Sequence, residues 1–241
     1  MIRVCLLLLL LPGMAQAACR QALSLGLDVS SSVDPGEYLL QLEGVIAALN
    51  APVVREILFL QPDAPIRLHV FEWSGPVNQT VLVPWTAIES PADLDAITER
   101  LRGHTRGVAA PNTAIGSAML AGFAYLEDHS DCWIRTLDIS GDGENNAGPL
   151  PDEIPLSATP PGVTVNGLVV GSGNFFGDIV SGEALDNLVV YYEENVIRGP
   201  VAFVEVAEDY DDYAATMERK LLRELSALAV GQVDTRHGSD G

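Results

Sequence analysis

The chain has 241 residues, of which 33 are acidic and only 13 are basic, so its formal net charge is −20. Binding to nucleic acid and attraction to an anionic membrane are therefore disfavoured, because Lys and Arg supply both attractions. The length suits one domain with a full-sized core. With 48% hydrophobic residues, the acidity is typical of a solvated surface and not of disorder.

The first 17 residues have the three-part pattern of a secretory signal peptide. An arginine precedes an apolar run from Val4 to Leu11, a Pro-Gly break follows, and Ala15 and Ala17 are the small residues before the expected cleavage site. The apolar run is too short to span a membrane, which needs about 20 residues. We therefore expect an exported protein, periplasmic or secreted, with no membrane span. A lipoprotein anchored through Cys19 is the less favoured alternative, because Gln16 stands where that signal usually has an aliphatic residue.

Export would place the cysteines of the mature chain in a compartment where disulfides persist. Cys19 lies nine residues before Asp28, and Cys132 lies ten residues before Asp142. If the segments that follow them are neighbouring parallel strands, both cysteines lie at the same end of the sheet. The spacing then predicts a disulfide between Cys19 and Cys132, and two unpaired buried thiols are the alternative.

Apolar patterning predicts strands and helices in alternation. The run from Ala22 to Leu27 is typical of a strand buried on both faces, and Asp34 and Pro35 then supply the cap and the first residue of a helix. Two further runs, Ile66 to Trp73 and Gln79 to Trp85, are separated by a short link and predict an antiparallel pair. The other predicted elements are, in order, helices over 53–60, 91–101 and 113–126, strands over 133–139 and 163–170, a helix over 183–196, a strand over 201–206 and a helix over 210–230.

This alternation, with one early hairpin, predicts an α/β fold, a doubly wound sheet with helices on both faces. Residues 18–230 would form the domain, and 231–241 a flexible C-terminal tail. In such folds ligands bind beyond the carboxyl ends of the strands. Polar clusters lie at three such positions: Asp28-Val-Ser30-Ser-Ser32, Thr113 at a helix start, and Asp142-Gly143.

These clusters resemble a known family. Asp28-Val-Ser30-Ser-Ser32 matches the Asp-x-Ser-x-Ser signature of the von Willebrand factor type A (vWA) domain, which is also the fold of integrin inserted domains. The segment from Thr113 is similar to the second metal segment of that family, Asp142-Gly143 to its third, and 167–173 to its fifth strand and exit. The resemblance covers about 22–230 and is greatest to exported, single-domain bacterial members without an assigned function. It implies a Rossmann-like, mostly parallel sheet with one antiparallel edge strand and a metal-ion-dependent adhesion site (MIDAS) at its top.

The resemblance implies five metal ligands. Ser30 and Ser32 would bind a divalent cation through their hydroxyls, Asp28 and Asp142 directly or through water, and Thr113 directly or through water according to conformational state. Such oxygen ligands suit Mg²⁺ best, with Mn²⁺ or Ca²⁺ also possible. The family often has Thr immediately before the third-segment aspartate, where this chain has glycine, so the departure concerns the support of that ligand and not the ligand itself.

The expected function is binding. Two protein carboxylates leave a bound divalent ion with residual positive charge, which favours an anionic oxygen at an open position. In the proteins this chain resembles, that oxygen comes from an Asp or Glu of a protein partner. A metal-dependent hydrolase or phosphotransferase that uses the same cation is the alternative, but the sequence has no Ser-His-Asp order, Gly-x-Ser-x-Gly elbow or phosphate-binding glycine loop. We therefore do not expect an enzyme.

Each cluster also has a simpler interpretation. The serines after Asp28 could only cap the helix that follows, Thr113 could only be an N-cap, and Asp142-Gly143 could only form a turn.

Overall fold

The computed structural model describes residues 18–171 and 182–231. Its sheet has six strands in the order β3-β2-β1-β4-β5-β6, and every neighbouring pair is parallel except β2 and β3. The predicted doubly wound, mostly parallel sheet with one antiparallel edge strand is therefore confirmed. The strands are β1 (Cys19–Asp28), β2 (Ile66–Trp73), β3 (Gln79–Ile88), β4 (Cys132–Gly141), β5 (Val163–Val170) and β6 (Val204–Ala207).

Helices cover both faces of the sheet, as predicted. The first three and the last pack over one hydrophobic cluster, and the fourth and fifth pack over a second cluster on the opposite face. No helix in the described ranges is long and apolar enough to cross a membrane. The helices are α1 (Pro35–Asn50), α2 (Pro52–Leu58), α3 (Pro91–Arg102), α4 (Ile115–Glu127), α5 (Gly182–Tyr191), which continues as a π-helical turn (Tyr192–Val196), and α6 (Tyr213–Gly231), with a 3₁₀ turn at Leu156–Ala158.

Strand β1 lies at the centre of the sheet, and all ten of its residues are buried. The chain passes from β1 to β2 and β3 on one side and returns to β4, β5 and β6 on the other. The strand order therefore reverses between β1 and β4, and a crevice opens beyond their carboxyl ends. Asp28 ends β1, and Asp142 immediately follows β4.

The disulfide predicted from the spacing of the cysteines is present. Cys19 and Cys132 pair across β1 and β4 in register, and their sulfur atoms are bonded. The bond lies at the opposite end of both strands from Asp28 and Asp142.

Some element boundaries differ from the prediction, most clearly at the last strand. β6 begins at Val204 and not at Val201, because the chain turns first: Gly199 and Val201 have φ angles of 97° and 52°. Arg198 exchanges backbone hydrogen bonds with Val165 of β5, so the chain meets the sheet briefly before the turn and again after it.

The remaining differences are at strand ends, helix ends and the chain ends. β1 runs from Cys19 to Asp28 and not from Ala22 to Leu27, and β3 ends at Ile88 and not at Trp85. The helix predicted from Thr113 begins two residues later, and the one predicted from Tyr210 begins at Tyr213. Helix α6 reaches Gly231, the first residue of the predicted tail. The predicted signal peptide, 1–17, and positions 232–241 of the tail lie outside the described residues, as do positions 172 and 173 of the predicted exit from β5.

A buried ion pair fixes α6 to the sheet below the crevice. Lys220, the only lysine in the chain, is fully buried, and its Nζ lies 2.8 Å from Asp138 Oδ1 and 2.7 Å from Glu224 Oε1. Asn166 of β5 donates a 2.6 Å hydrogen bond to the same Glu224 oxygen. A buried ammonium needs such partners, because an unpaired charge in the interior is strongly destabilising.

Candidate metal site

The loop after β1 holds the Asp28 carboxylate in a fixed position. Asp28 is fully buried, and its Oδ1 accepts a 2.7 Å hydrogen bond from the Ser30 backbone N–H. Its backbone carbonyl accepts a 3.0 Å bond from Gln41 of α1. Asp34 caps α1 in a reciprocal capping box with Glu37, so the serines are not the cap of this helix.

Three hydroxyls and the Asp142 carboxylate form one hydrogen-bonded row beside Asp28. Thr113 Oγ1 donates to Ser30 Oγ at 3.3 Å, the Ser30 and Ser32 oxygens are 3.0 Å apart, and Ser32 Oγ donates to Asp142 Oδ1 at 2.6 Å. The Ser32 hydroxyl has one proton, which it donates to Asp142. It therefore accepts the hydrogen bond from the Ser30 hydroxyl. Helix α4 has no side-chain cap, so the Thr113 hydroxyl does not serve that role. The structure thus brings together all five residues predicted from the sequence.

The arrangement fits a hard divalent cation. Asp28 Oδ2 and Asp142 Oδ2 are buried and have no hydrogen-bond partner among the described residues, and a buried carboxylate oxygen without a partner is costly. Adjacent ligands of an octahedral Mg²⁺ site with bonds of about 2.1 Å lie about 3.0 Å apart. The row of oxygens, with separations of 2.6, 3.0 and 3.3 Å, matches that spacing.

The electrostatics of the two carboxylates also favour a cation. Burial raises the pKa of Asp28 to about 8, and the nearby charge of Asp142 adds to this, while hydrogen bonds from Ser30 and the charge of Arg106 oppose it. Burial also raises the pKa of Asp142, against the hydrogen bond from Ser32. Two desolvated carboxylates in one crevice disfavour each other's ionised form. A divalent ion would stabilise both.

Arg106 supports the loop after β1, and sequence reasoning missed it. Its guanidinium donates to the backbone carbonyls of Val29 at 2.8 Å, Ser30 at 3.1 Å and Val33 at 2.8 Å. The planar guanidinium also lies 5.4 Å from the centre of the Tyr38 ring. One side chain therefore holds three carbonyls of the loop that carries Ser30 and Ser32. The only sequence signal was an arginine inside a polar, glycine-containing segment.

Two asparagines after Asp142 hold the Thr113 segment, and they were also missed. Asn146 Oδ1 accepts from the Thr113 N–H at 2.9 Å, and the Asn146 N–H donates to the Thr113 carbonyl at 2.8 Å. Asn145 Oδ1 accepts a 3.2 Å bond from the Gly116 N–H at the start of α4. The segment that begins at Thr113 and the loop after β4 are therefore joined directly. An Asn-Asn pair after a strand end is too common in sequences to predict this.

The space beside Gly141 contains a tyrosine hydroxyl. A methyl carbon at Gly141 would lie 2.5 Å from the Tyr192 hydroxyl oxygen and 3.2 Å from Asp28 Oδ2. Burial raises the pKa of Tyr192 well above its ordinary value, and the charge of Asp28 adds to the shift. Where the resembled family often has threonine, this chain thus has Gly141, which faces the hydroxyl of Tyr192.

A second group of possible ligands lies at the disulfide end of the sheet. Atoms of His129, Asp131 and Cys132 approach one another within 4.8 Å. However, the Cys132 sulfur is bonded to Cys19, and Arg67 donates to both Asp131 oxygens, at 3.0 and 2.8 Å. A disulfide sulfur is not a thiolate, and the Asp131 carboxylate is already paired with Arg67. This group is therefore a weaker candidate than the one at the strand ends.

The sheet order, the helices on both faces and the cluster at the carboxyl ends of β1 and β4 define a vWA fold. The chain belongs to the family described as "Protein of unknown function (DUF1194)", whose model matches residues 18–229. A search of curated proteins finds no match to this chain.

Several solved structures are similar in fold. Proximal thread matrix protein 1 from the mussel byssus has a TM-score of 0.58 and 14% identity, over 88% of this chain and 49% of that one. The pilus adhesin SpaC from Lactobacillus rhamnosus GG has a TM-score of 0.58 and 12% identity, over 88% and 31%. A von Willebrand factor type A protein from Catenulispora acidiphila has a TM-score of 0.56 and 13% identity, over 86% and 43%.

A further structure of the mussel protein, with a TM-score of 0.50 and 14% identity over 89% of this chain and 49% of that one, is described as having a zinc-occupied MIDAS motif. This chain spans half or less of the length of each of these structures. At such identities the likeness shows the fold alone.

Proposed function

We propose that this chain is an exported vWA module that holds a divalent cation and uses it to bind an acidic group of a protein partner. The ligands would be Asp28, Ser30, Ser32, Thr113 and Asp142. The observation that carries the proposal is their convergence: three hydroxyls in a row, and two buried carboxylates that each have an oxygen without a partner in the described part of the chain. The proposal of export rests on the signal-peptide pattern and on the disulfide, which persists in oxidising compartments.

Mg²⁺ is the cation proposed first. The candidate ligands are all hydroxyl or carboxylate oxygens, which suit Mg²⁺, Mn²⁺ or Ca²⁺ better than softer ions. The zinc-occupied motif of the mussel protein supports a divalent cation at this place in the fold. When bound, the ion would supply a positive charge directly beside the two carboxylates.

The residual charge of the ion favours an Asp or Glu side chain of the partner. The adhesin and the matrix protein among the similar structures support binding as the role of such a module. The net charge of −20 would repel an acidic partner at long range, so association should become faster as salt screens this repulsion.

We further propose that the site binds and does not catalyse. Among the described residues, the side chains that hydrogen-bond to the five candidate ligands are hydroxyls, carboxylates, amides and the Arg106 guanidinium. None is a histidine, the residue that most often transfers protons in enzymes. The arrangement therefore supports coordination as the role of the site.

The cation is tested by calorimetric titration of the mature protein with Mg²⁺, Mn²⁺ and Ca²⁺, together with melting temperatures in chelator and in millimolar ion. We expect binding and a higher melting temperature for the wild type, and loss of both in Asp28→Ala. Asp95→Asn, an exposed aspartate of α3, is the control and should bind like the wild type. A wild type that binds none of the three ions would contradict the proposal.

The partner chemistry is tested with a peptide array in which each Asp or Glu peptide has an Asn or Gln counterpart. Metal-dependent capture of the acidic peptides alone would support the proposal, and the captured sequences would guide a pull-down from envelope extract with and without chelator. Equal capture of both members of each pair would contradict it. Metal-dependent turnover of a panel of phosphoesters would favour the enzyme alternative instead.

A further inference from the structure

Two glycines on neighbouring strands make room for the side chain of Tyr192. Tyr192 is fully buried at the point where α5 passes into its π-helical turn. A methyl carbon at Gly167 of β5 would lie 2.9 Å from Tyr192 Cδ1, and one at Gly141 of β4 would lie 2.5 Å from its hydroxyl oxygen. Contacts this short do not occur without displacement, so only glycine at both positions accommodates the ring. The ring is thus held along its length, and its hydroxyl is directed toward the carboxyl end of β4.

At that end, the Tyr192 hydroxyl and Asp28 Oδ2 border the same small space. The methyl position at Gly141 is 3.2 Å from Asp28 Oδ2, and the Trp73 ring lies 3.4 Å away on another side. Neither the tyrosine hydroxyl nor Asp28 Oδ2 has a hydrogen-bond partner in the described part of the chain. The other oxygen of Asp28 is already bonded to the Ser30 N–H. Buried polar groups in folded proteins are nearly always hydrogen-bonded, and here a donor and an acceptor without other partners border one space.

We propose that Tyr192 is a positioning residue of the metal site. Its hydroxyl donates to Asp28 Oδ2, directly or through one water, and fixes the rotation of the carboxylate. The Ser30 N–H fixes the other oxygen, so that the carboxylate is held from two sides before the ion binds. Gly141 is glycine because a side chain there would take the place of the tyrosine hydroxyl. This inference rests on the proposed cation site and adds to it a residue that touches no ion.

The first test is the affinity of the full mature chain for Mg²⁺ and Mn²⁺, measured by calorimetry. Tyr192→Phe keeps the ring and removes only the hydroxyl, and residues that orient a metal ligand typically change affinity by about 10- to 100-fold. We expect a loss of that size with little change in the melting temperature in chelator. Tyr213→Phe is the matched control, because Tyr213 is fully buried and its hydroxyl pairs with Ser140, which faces the opposite side of β4. It should keep the wild-type affinity.

The second test restores a hydroxyl from the other side of the same space. In the Tyr192→Phe background, Gly141→Ser places a hydroxyl within reach of Asp28 Oδ2, and we expect it to recover most of the lost affinity. Gly141→Ala in that background fills the space without a donor and should not. In the wild-type background Gly141→Ala should lower both affinity and melting temperature, because its methyl group meets the Tyr192 hydroxyl.

The outcomes separate this inference from the function on which it rests. Wild-type affinity in Tyr192→Phe, together with loss of binding in Asp28→Ala, would overturn the inference and leave the cation site standing. Equal recovery by the serine and alanine variants would also overturn it, since space and not a hydrogen bond would then be the cause. A wild type that binds neither ion would overturn both.

Discussion

The Ser32 hydroxyl donates a 2.6 Å hydrogen bond to Asp142 Oδ1, across a sequence separation of 110 residues. The bond joins the loop after β1 to the loop after β4, the two strands between which the sheet reverses its order. Ser32 is exposed whereas Asp142 is buried, so the bond lies where the crevice opens to solvent. Because the two loops share this contact, we expect substitutions in either loop to change the affinity for the cation.

Asp28→Asn should stabilise the metal-free protein while it abolishes the effect of metal. The pKa of Asp28 is raised to about 8, so between its ordinary pKa and pH 8 the folded state holds a proton that the unfolded state has lost. Stability of the metal-free wild type therefore falls as pH rises through this range, by up to about 1.4 kcal/mol per pH unit. The asparagine removes this dependence.

The measurement is urea unfolding in chelator from pH 5 to 8, for the wild type and for Asp28→Asn. We expect the two curves to separate as the pH rises, with the variant more stable at pH 8 by about 1–3 kcal/mol. Adding Mg²⁺ should then stabilise the wild type only. Parallel pH dependences for the two proteins would contradict the prediction.

Arg106→Ala should weaken metal binding without removing any ligand. The guanidinium is the common donor to three carbonyls of the loop that carries Ser30 and Ser32, and its loss leaves that loop free to move. We expect about a 10-fold weaker affinity for Mn²⁺, as for other residues that support metal ligands. Arg106→Lys keeps the charge but lacks the rigid, planar set of donors that reaches three carbonyls at once, so it should restore little.

Calorimetry measures the affinity in each variant. Arg102→Ala is the control, because Arg102 is an exposed arginine at the end of α3 whose partner is the exposed Glu99. Full recovery of affinity in Arg106→Lys would show that charge alone matters and that the hydrogen bonds of the guanidinium do not.

The ligand candidates could be named from the sequence because the resemblance to the vWA family rests on short local motifs. Asp28, Ser30 and Ser32 follow an apolar strand at fixed spacing, and Thr113 and Asp142 stand at the start of a helix and the end of a strand. Carboxyl ends of parallel strands meet at one edge of the sheet, so local positions were enough to bring them together. The disulfide followed from similar reasoning about strand ends, and the fold from the alternation of strands and helices and from the resemblance.

The supporting residues could not be predicted, because their roles depend on contacts between distant segments. Arg106 lies 73 to 77 positions from the carbonyls that it holds. The Tyr192 hydroxyl borders the space beside Asp28 only because a π-helical turn places the ring there and two glycines, on β4 and β5, make room for it. The start of β6 was placed too early in the prediction because Val201 is β-branched and therefore typical of strands. In the structure Val201 has a positive φ angle, which no strand residue adopts, so the strand begins after it.

Removal of the disulfide should lower stability and leave the cation site intact. Cys19 and Cys132 close a loop across 113 positions, which in the chain-entropy account corresponds to about 4–5 kcal/mol of unfolding free energy. The bond lies at the start of β1, about 30 Å along the strand from Asp28. The Cys19→Ala/Cys132→Ala variant should therefore unfold at lower guanidinium concentration but bind Mg²⁺ with wild-type affinity. A large loss of affinity would show that the two ends of the sheet are coupled.

His69 should make the fold sensitive to acid. The ring is buried between aromatic side chains, 5.0 Å from the centre of the Trp85 ring and 4.6 Å from that of Tyr125, and its Nδ1 lies 2.9 Å from Ser24 Oγ. Burial lowers the pKa of His69 to about 4, and the charge of His129 adds to the shift.

Between pH 6.5 and 4 the unfolded chain therefore binds a proton at His69 that the folded protein does not. The contribution of His69 is present above this range and is lost as pH falls through it, by up to about 1.4 kcal/mol per pH unit. His69→Asn keeps a small polar group opposite Ser24 and cannot be protonated. Urea unfolding in chelator at pH 7, 5.5 and 4.5 should show a shallower loss of stability in the variant than in the wild type. Because carboxylates titrate equally in both proteins, the difference between the two curves isolates the histidine, and identical curves would show that His69 is protonated as easily in the fold as outside it.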